Sequence, residues 1–315
     1  MNQKVKSVFQ STMVLMLAVV LCVQCNKKDE VVLATDNIDI KLASDPQLSI
    51  FKKAISQAKL ETFTKGPGPF TILAPTNTAL TDAGITESSL ASIDSITLTV
   101  MVLNHFQNLK RTSFEFPVGP NAPMASMAGF SNFSFRNTTT NTTYVNAAKV
   151  LETDIICSNG IIHKIDKFLA IPIIPIRTII KNNPNYSLMD SAISKAILAA
   201  NFAPATNSAT TVFLINNANM IAAGYPNLAA IGALTPAQVT ILSNILKYHI
   251  IPSRNYSIAF KAGNLKTSLG SNITVTTGTS VSFKGVSNTS AYTFLNSDII
   301  ASNGVLHELN GTLLP

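Results

Sequence analysis

The chain has 315 residues, 46% apolar and only 12% charged, enough to bury two cores of ordinary size and too apolar to read as disordered. It carries no tryptophan and 14 glycines, which excludes collagen-like and glycine-rich architectures. The net charge is +7, or +5 without Lys4 and Lys6 of the leader, and no basic run or basic-aromatic interleaving points to nucleic acid.

Residues 1–24 begin with Lys4 and Lys6 and continue into an apolar run, Met13 to Val23, that is short for a membrane span and has the anatomy of a secretory signal. Leu21-Cys22-Val23-Gln24-Cys25 resembles a bacterial lipobox, with Cys25 as the lipidated residue and new N-terminus. Gln24 stands where such boxes carry a small residue, Cys22 is a poorer fit, and plain signal cleavage is the alternative. The polar stretch Asn26-Lys27-Lys28-Asp29-Glu30 opens a tether (25–35) that resembles the surface-export signals of Bacteroidetes-type lipoproteins. This predicts an outer-membrane lipoprotein of the cell envelope, facing the cell surface and held by acyl chains. Cys157 is then alone in the folded body, without an intramolecular disulfide partner, and reads as a small buried residue.

Beyond the tether, Leu48, Phe51, Ile55 and Ala58 recur at helical spacing, predicting an amphipathic helix over 46–60. The breaker cluster Lys65-Gly66-Pro67-Gly68 precedes a short buried strand from Phe70, a turn at Pro75 and a helix capped by Thr76 or Asn77. Residues 88–108 read as partly helical, and short β-type runs alternate with Pro, Gly, Asn and Thr over 111–150. Asn137 to Thr143 reads as a polar hairpin tip, with a glycan-bearing or recognition loop as the other reading.

Next comes Asp154-Ile155-Ile156-Cys157-Ser158-Asn159-Gly160-Ile161-Ile162-His163. Its counterpart, Asp298-Ile299-Ile300-Ala301-Ser302-Asn303-Gly304-Val305-Leu306-His307, lies 144 residues later with seven of ten positions identical. His105 and His249 are also 144 apart, and each histidine pair spans 58 residues within its copy. The chain therefore reads as two copies of one domain, 36–171 and 172–315, joined at Pro172 to Pro175. Each motif predicts a hairpin whose Asn-Gly adopts a type I′ turn. In the second copy a helix is predicted over 186–200, with Ile193, Ala196 and Ile197 among its apolar face. Thr211 to Ile215 matches the first copy's buried strand, Thr235 and Pro236 start a helix reaching His249, and Asn272 to Phe283 alternates as strand. Helices early and strands late give an α+β pattern in each copy.

Thr71-Ile72-Leu73-Ala74-Pro75-Thr76-Asn77 and the motif ending at His163 and Asp166 resemble the two signature blocks of the fasciclin-like (beta-Ig-H3/fasciclin) domain. A tyrosine-histidine pair between them is similar to Tyr248-His249 and, altered, to Asn104-His105. The second copy departs at Ile215-Asn216-Asn217-Ala218 and at Glu308-Leu309-Asn310. The resemblance implies tandem β-sandwich or wedge domains with helices packed against them, and an extracellular adhesion or matrix-interaction role without catalysis. Because the tyrosine-histidine region contributes to receptor binding in some members, it points to Tyr248, His249, Asn104 and His105 as candidate partner-binding residues.

The residues themselves add little chemistry. No two histidines share metal-ligand spacing, and neither a Gly-x-Ser-x-Gly elbow nor a phosphate loop occurs. Ser158 beside His163 is ordinary turn chemistry. Asp154, Asn159, Gly160 and His163, with Asp298, Asn303, Gly304 and His307, read as a structural motif, its histidines buried against main chain or Asp154 and Asp298. The expectation is a cell-surface adhesion or scaffolding lipoprotein that is not an enzyme, needs no cofactor or metal, and binds extracellular protein or polysaccharide. A glycan- or small-ligand-binding envelope protein for nutrient capture is the alternative.

Overall fold

A computed structural model describes residues 34–138, 140–202 and 210–315. The leader, Cys25 and the tether up to residue 33 lie outside the described residues, as does Thr139 of the hairpin tip. No described helix is long and apolar enough to cross a membrane.

In the first copy, helices α1 (Ile38–Ser44), α2 (Ser49–Gln57) and α3 (Glu61–Lys65) precede strand β1 (Phe70–Pro75), and α4 (Asn77–Asp82), α5 (Glu87–Leu90) and α6 (Ser95–Leu103) follow it. Strands β2 (Phe106–Gln107), β3 (Ala122–Ala125), β4 (Ser131–Asn137), β5 (Thr142–Val145), β6 (Ala148–Cys157) and β7 (Gly160–Ile165) follow. They form one mixed sheet in the order β2-β1-β7-β6-β5-β4-β3, with β1 parallel to β7. The ten-residue β6 pairs with β5 at its start and β7 along the rest, and its register slips between Val150 and Ile155. This bulged strand divides the sheet into two limbs.

Alternation along β1 feeds two cores. Ile72 and Ala74 pack with Ile38, Leu42, Phe51 and Ile55 of the helices, whereas Leu73 joins Phe116, Met124, Val145 and Ile165 between the limbs. β1 is consequently buried along its whole length.

The second copy repeats this plan with α7 (Ile176–Asn182), α8 (Ser187–Lys195), β8 (Thr210–Leu214), α9 (Asn217–Ala222), α10 (Leu228–Gly232) and α11 (Pro236–Tyr248). Its remaining strands are β9 (Ile250–Ile251), β10 (Gly263–Lys266), β11 (Asn272–Thr276), β12 (Ser282–Lys284), β13 (Tyr292–Ala301) and β14 (Gly304–Leu309). The order β10-β11-β12-β13-β14-β8-β9 is the first sheet read from its other edge. Thr235 and Gln238 form a reciprocal capping box on α11, with Pro236 at its first position.

Two expectations change at the level of turns. The helix expected to reach Ala200 ends at Lys195, because Leu198 N–H reaches back to Ile193 C=O around Ile197, which has a φ of 57°. Lys59 does the same between Ile55 and Leu60. Both are Schellman-like stops that usually use glycine. Ile197 is 88% exposed, not on the buried face, so its left-handed backbone carries strain without burial in return. Ile197→Gly should therefore stabilise the protein by about 1 kcal/mol in denaturant melts; a loss of stability would contradict the assignment.

The second change concerns the hairpins. Cys157 pairs with Gly160, so Ser158 and Asn159 are the central residues, and neither has positive φ. The expected type I′ turn is absent there. Left-handed residues in tandem occur instead at Asn146 (φ 48°) and Ala147 (φ 65°), between β5 and β6. Asn159 and Gly160 meet other demands, described below.

Candidate functional site

The repeated motif is an internal clasp. On β7, His163 Nε2–H donates to Arg111 C=O at 2.9 Å, and Nδ1 accepts from Asp154 N–H at 3.3 Å. His307 repeats this with Asn255 C=O at 2.8 Å and Asp298 N–H at 3.1 Å. A carbonyl can only accept, which fixes the tautomer. Asp154 and Asp298 sit at φ 59° and 61° on the bulge, and each Oδ1 accepts a loop amide, Ser113 N–H at 2.8 Å or Ser257 N–H at 2.7 Å. Burial pushes both imidazoles below their ordinary range and keeps them neutral.

Asn159 and Asn303 do the same for helix starts. Asn159 Oδ1 accepts Ile38 N–H at 2.9 Å while its Nδ2 donates to Thr64 and Gly66 C=O at 2.9 and 2.8 Å. Asn303 Oδ1 accepts Ile176 N–H at 2.9 Å. Gly160 faces Phe70 across the parallel ladder, and Gly304 faces Thr210. A Cβ on either would press into the facing carbonyl and into Ile38 or Ile176 Cδ1, at 2.9 and 2.7 Å. Close approach, not turn conformation, selects glycine at both sites.

The tyrosine-histidine region is interior. Asn104, His105, Tyr248 and His249 have no exposed surface, which corrects their reading as direct partner contacts. His105 Nδ1–H donates to Met101 C=O at 3.0 Å, one helical turn back, and Nε2 accepts Leu169 N–H at 3.0 Å. His249 repeats this with Ile245 C=O at 2.8 Å and Leu313 N–H at 3.1 Å. Burial lowers both to about 4. Each ring thus fastens the tail of its domain to the helix before β2 or β9. Tyr248 OH bonds main chain of Asn272 and Val286, and Asn104 Nδ2 donates to Leu169 C=O at 3.0 Å.

The second copy's departures keep the same hydrogen bonds with other side chains. Asn216 caps α9 as Thr76 caps α4, and Asn217 holds Pro184, Ser187 and Leu188 as Asn77 holds Pro46, Ser49 and Ile50. Asn310 Oδ1 accepts Thr293 N–H at 2.9 Å where Asp166 Oδ1 accepts Lys149 N–H at 2.6 Å. Cys157 is buried, and burial pushes its thiol up to about 11, leaving it unreactive. Among the described residues no group of three or more His, Cys, Asp or Glu could hold a metal ion.

What sequence reasoning missed is the seam between the copies. Tyr256 OH donates to Asn146 Oδ1 at 3.0 Å, Asn121 Nδ2 donates to Arg254 C=O, and Lys167 pairs with Asp298 at 3.8 Å. The Arg254 guanidinium lies 4.4 Å from the Phe133 ring centre and donates to Gly304 C=O at 3.3 Å. Ala147, Tyr256 and Val305 form a small apolar cluster at the same seam. A cleft of about 490 Å³ opens there, lined by Phe130, Phe133, Asn146, Arg254, Tyr256 and Ile300 among others. The partners that cross from one copy to the other are more than 100 residues apart, so no local pattern signals them.

Comparison with known proteins follows this geometry. The chain is 26% identical over 265 residues to transforming growth factor-beta-induced protein ig-h3 of Sus scrofa, covering 82% of this chain and 36% of that protein. It is 28% identical over 136 residues to human periostin, covering 43% of this chain and 16% of that protein. Protein sll1483 of Synechocystis is 32% identical over 133 residues, covering 41% of this chain and 71% of that protein. The chain thus spans about a third or less of the two animal proteins. Among solved structures, a FAS1 domain pair from the insect cell adhesion molecule Fasciclin I matches with a TM-score of 0.41 at 17% identity, over 85% of this chain and 97% of that one. The fasciclin domain model matches residues 46–172 and again 184–315, so the chain belongs to the fasciclin family and carries two of its domains in tandem.

Proposed function

We propose that this protein is a cell-surface adhesion or scaffolding lipoprotein that binds extracellular protein or polysaccharide through the outer faces of its two fasciclin domains. The observation that carries the reading is the pair of fasciclin domains whose repeated motif turns its histidines and asparagines inward. With the motif committed to the frame, recognition falls to exposed loops and sheet edges, among them the β4–β5 tip around Asn137 and Thr142. Imidazoles saturated by main-chain bonds and held neutral are poor acid-base groups, which supports a non-enzymatic role. An acylated Cys25 would hold the chain at the outer membrane, and two weak sites would add through avidity.

Cells displaying the full chain should attach to surfaces coated with matrix protein or polysaccharide several-fold better than cells lacking it. Cys25→Ala should release the chain from the membrane fraction and remove that gain. Equal attachment with and without the chain would contradict the reading. Capture of a glycan or small ligand is the second reading, supported by the aromatic-lined cleft at the domain seam.

A further inference from the structure

The seam holds a cation that its surroundings do not balance. Arg254 is only 7% exposed, and its Nε is buried without a hydrogen-bond partner. Among the described residues no carboxylate lies within 4 Å of its guanidinium. The guanidinium rests on the Phe133 ring and donates to one carbonyl, that of Gly304, with the neighbouring Tyr256 phenol beside it. Desolvating a charge without a counter-charge is costly, and a protein ordinarily pairs it. Lys167, the other cation at the seam, already has Asp298.

The cavity beside this cation has the size of a small-molecule site. Phe130 and Phe133 lend apolar surface suited to the C–H face of a sugar, while the exposed Ser131 offers its hydroxyl to a sugar hydroxyl. One unbalanced positive charge matches a monoanion better than a phosphate dianion, and guanidinium suits carboxylate. We propose that the cleft between the two domains binds a sugar-sized monocarboxylate, a hexuronate fitting best, with Arg254 as its counter-ion. The ligand can arrive free or as the end of an acidic polysaccharide. The site stands whether or not the outer faces are adhesive.

The test is calorimetric titration of the purified full chain with D-glucuronate, D-glucose, inorganic phosphate and a short oligouronide. Glucuronate should bind saturably, glucose and phosphate at least about tenfold more weakly. Oligouronide binding tighter than the monosaccharide assigns the polysaccharide source, and equal or weaker binding assigns the free acid. Arg254→Gln should lower glucuronate affinity about tenfold or more. Should that variant fail to fold, Ser131→Trp, placed at the exposed rim, should block binding instead. Absence of glucuronate binding by the wild type, or unchanged affinity in a folded variant at either position, overturns the proposal. Cell attachment is read separately, so either idea can fail alone.

Discussion

Gly304→Ala is expected to destabilise the protein by about 3 kcal/mol, and Gly160→Ala by a similar amount. The added methyl meets backbone on the facing parallel strand, not a side-chain tip that could swing away. Relief requires β8 and β14, or β1 and β7, to separate at the first rung of their ladders. That rung lies under the side chain of Ile176 or Ile38, so the docking of α7 or α1 shifts as well. Gly278 is the control: a Cβ there meets nothing within 4 Å. Gly278→Ala should change stability by no more than about 0.5 kcal/mol. Urea unfolding of the three variants checks this, and equal midpoints would show that close approach does not select these glycines.

Acidification should remove a still larger share of stability. An unfolded histidine takes up a proton near pH 6.5, whereas burial holds His105 and His249 neutral down to about 4. Between those values the unfolded state binds more protons, so stability rises with pH across the window. It is fully present above about 6.5 and drains away as pH falls toward 4, on the order of 3 kcal/mol for each of the two rings. His163 and His307 are shifted in the same direction and add to the loss. Denaturant midpoints at pH 7 and pH 4.5 measure it, and a midpoint independent of pH over that range would contradict the buried, neutral assignment.

The doubled motif made the domain count and hairpin placement legible, because two copies solving one packing problem keep the same residues at the same spacing. Helix starts were equally readable: Thr76, Thr235 and Pro236 act through local geometry and sit where local rules place them. Long-range demands were not readable. Asn159-Gly160 has the letters of a type I′ turn, yet its side-chain amide serves a helix 121 residues away and its glycine serves a neighbouring strand. On α11 the apolar Ile241 is 58% exposed, while Tyr248 at the helix end is completely buried. Periodicity says which residues share a face, and only tertiary packing says which end of that face is covered. Helix α1 carries its buried Ile38 and Leu42 in seven residues, too short a window for a periodic signal. The Arg254 cleft depends on pairing between the two copies, which neither copy encodes alone.

The most direct test is surface-plasmon-resonance binding of the purified full chain to a panel of matrix proteins and polysaccharides. The account predicts saturable binding to at least one partner. A folded wild-type chain that binds no member of the panel would contradict an adhesive role for the two domains.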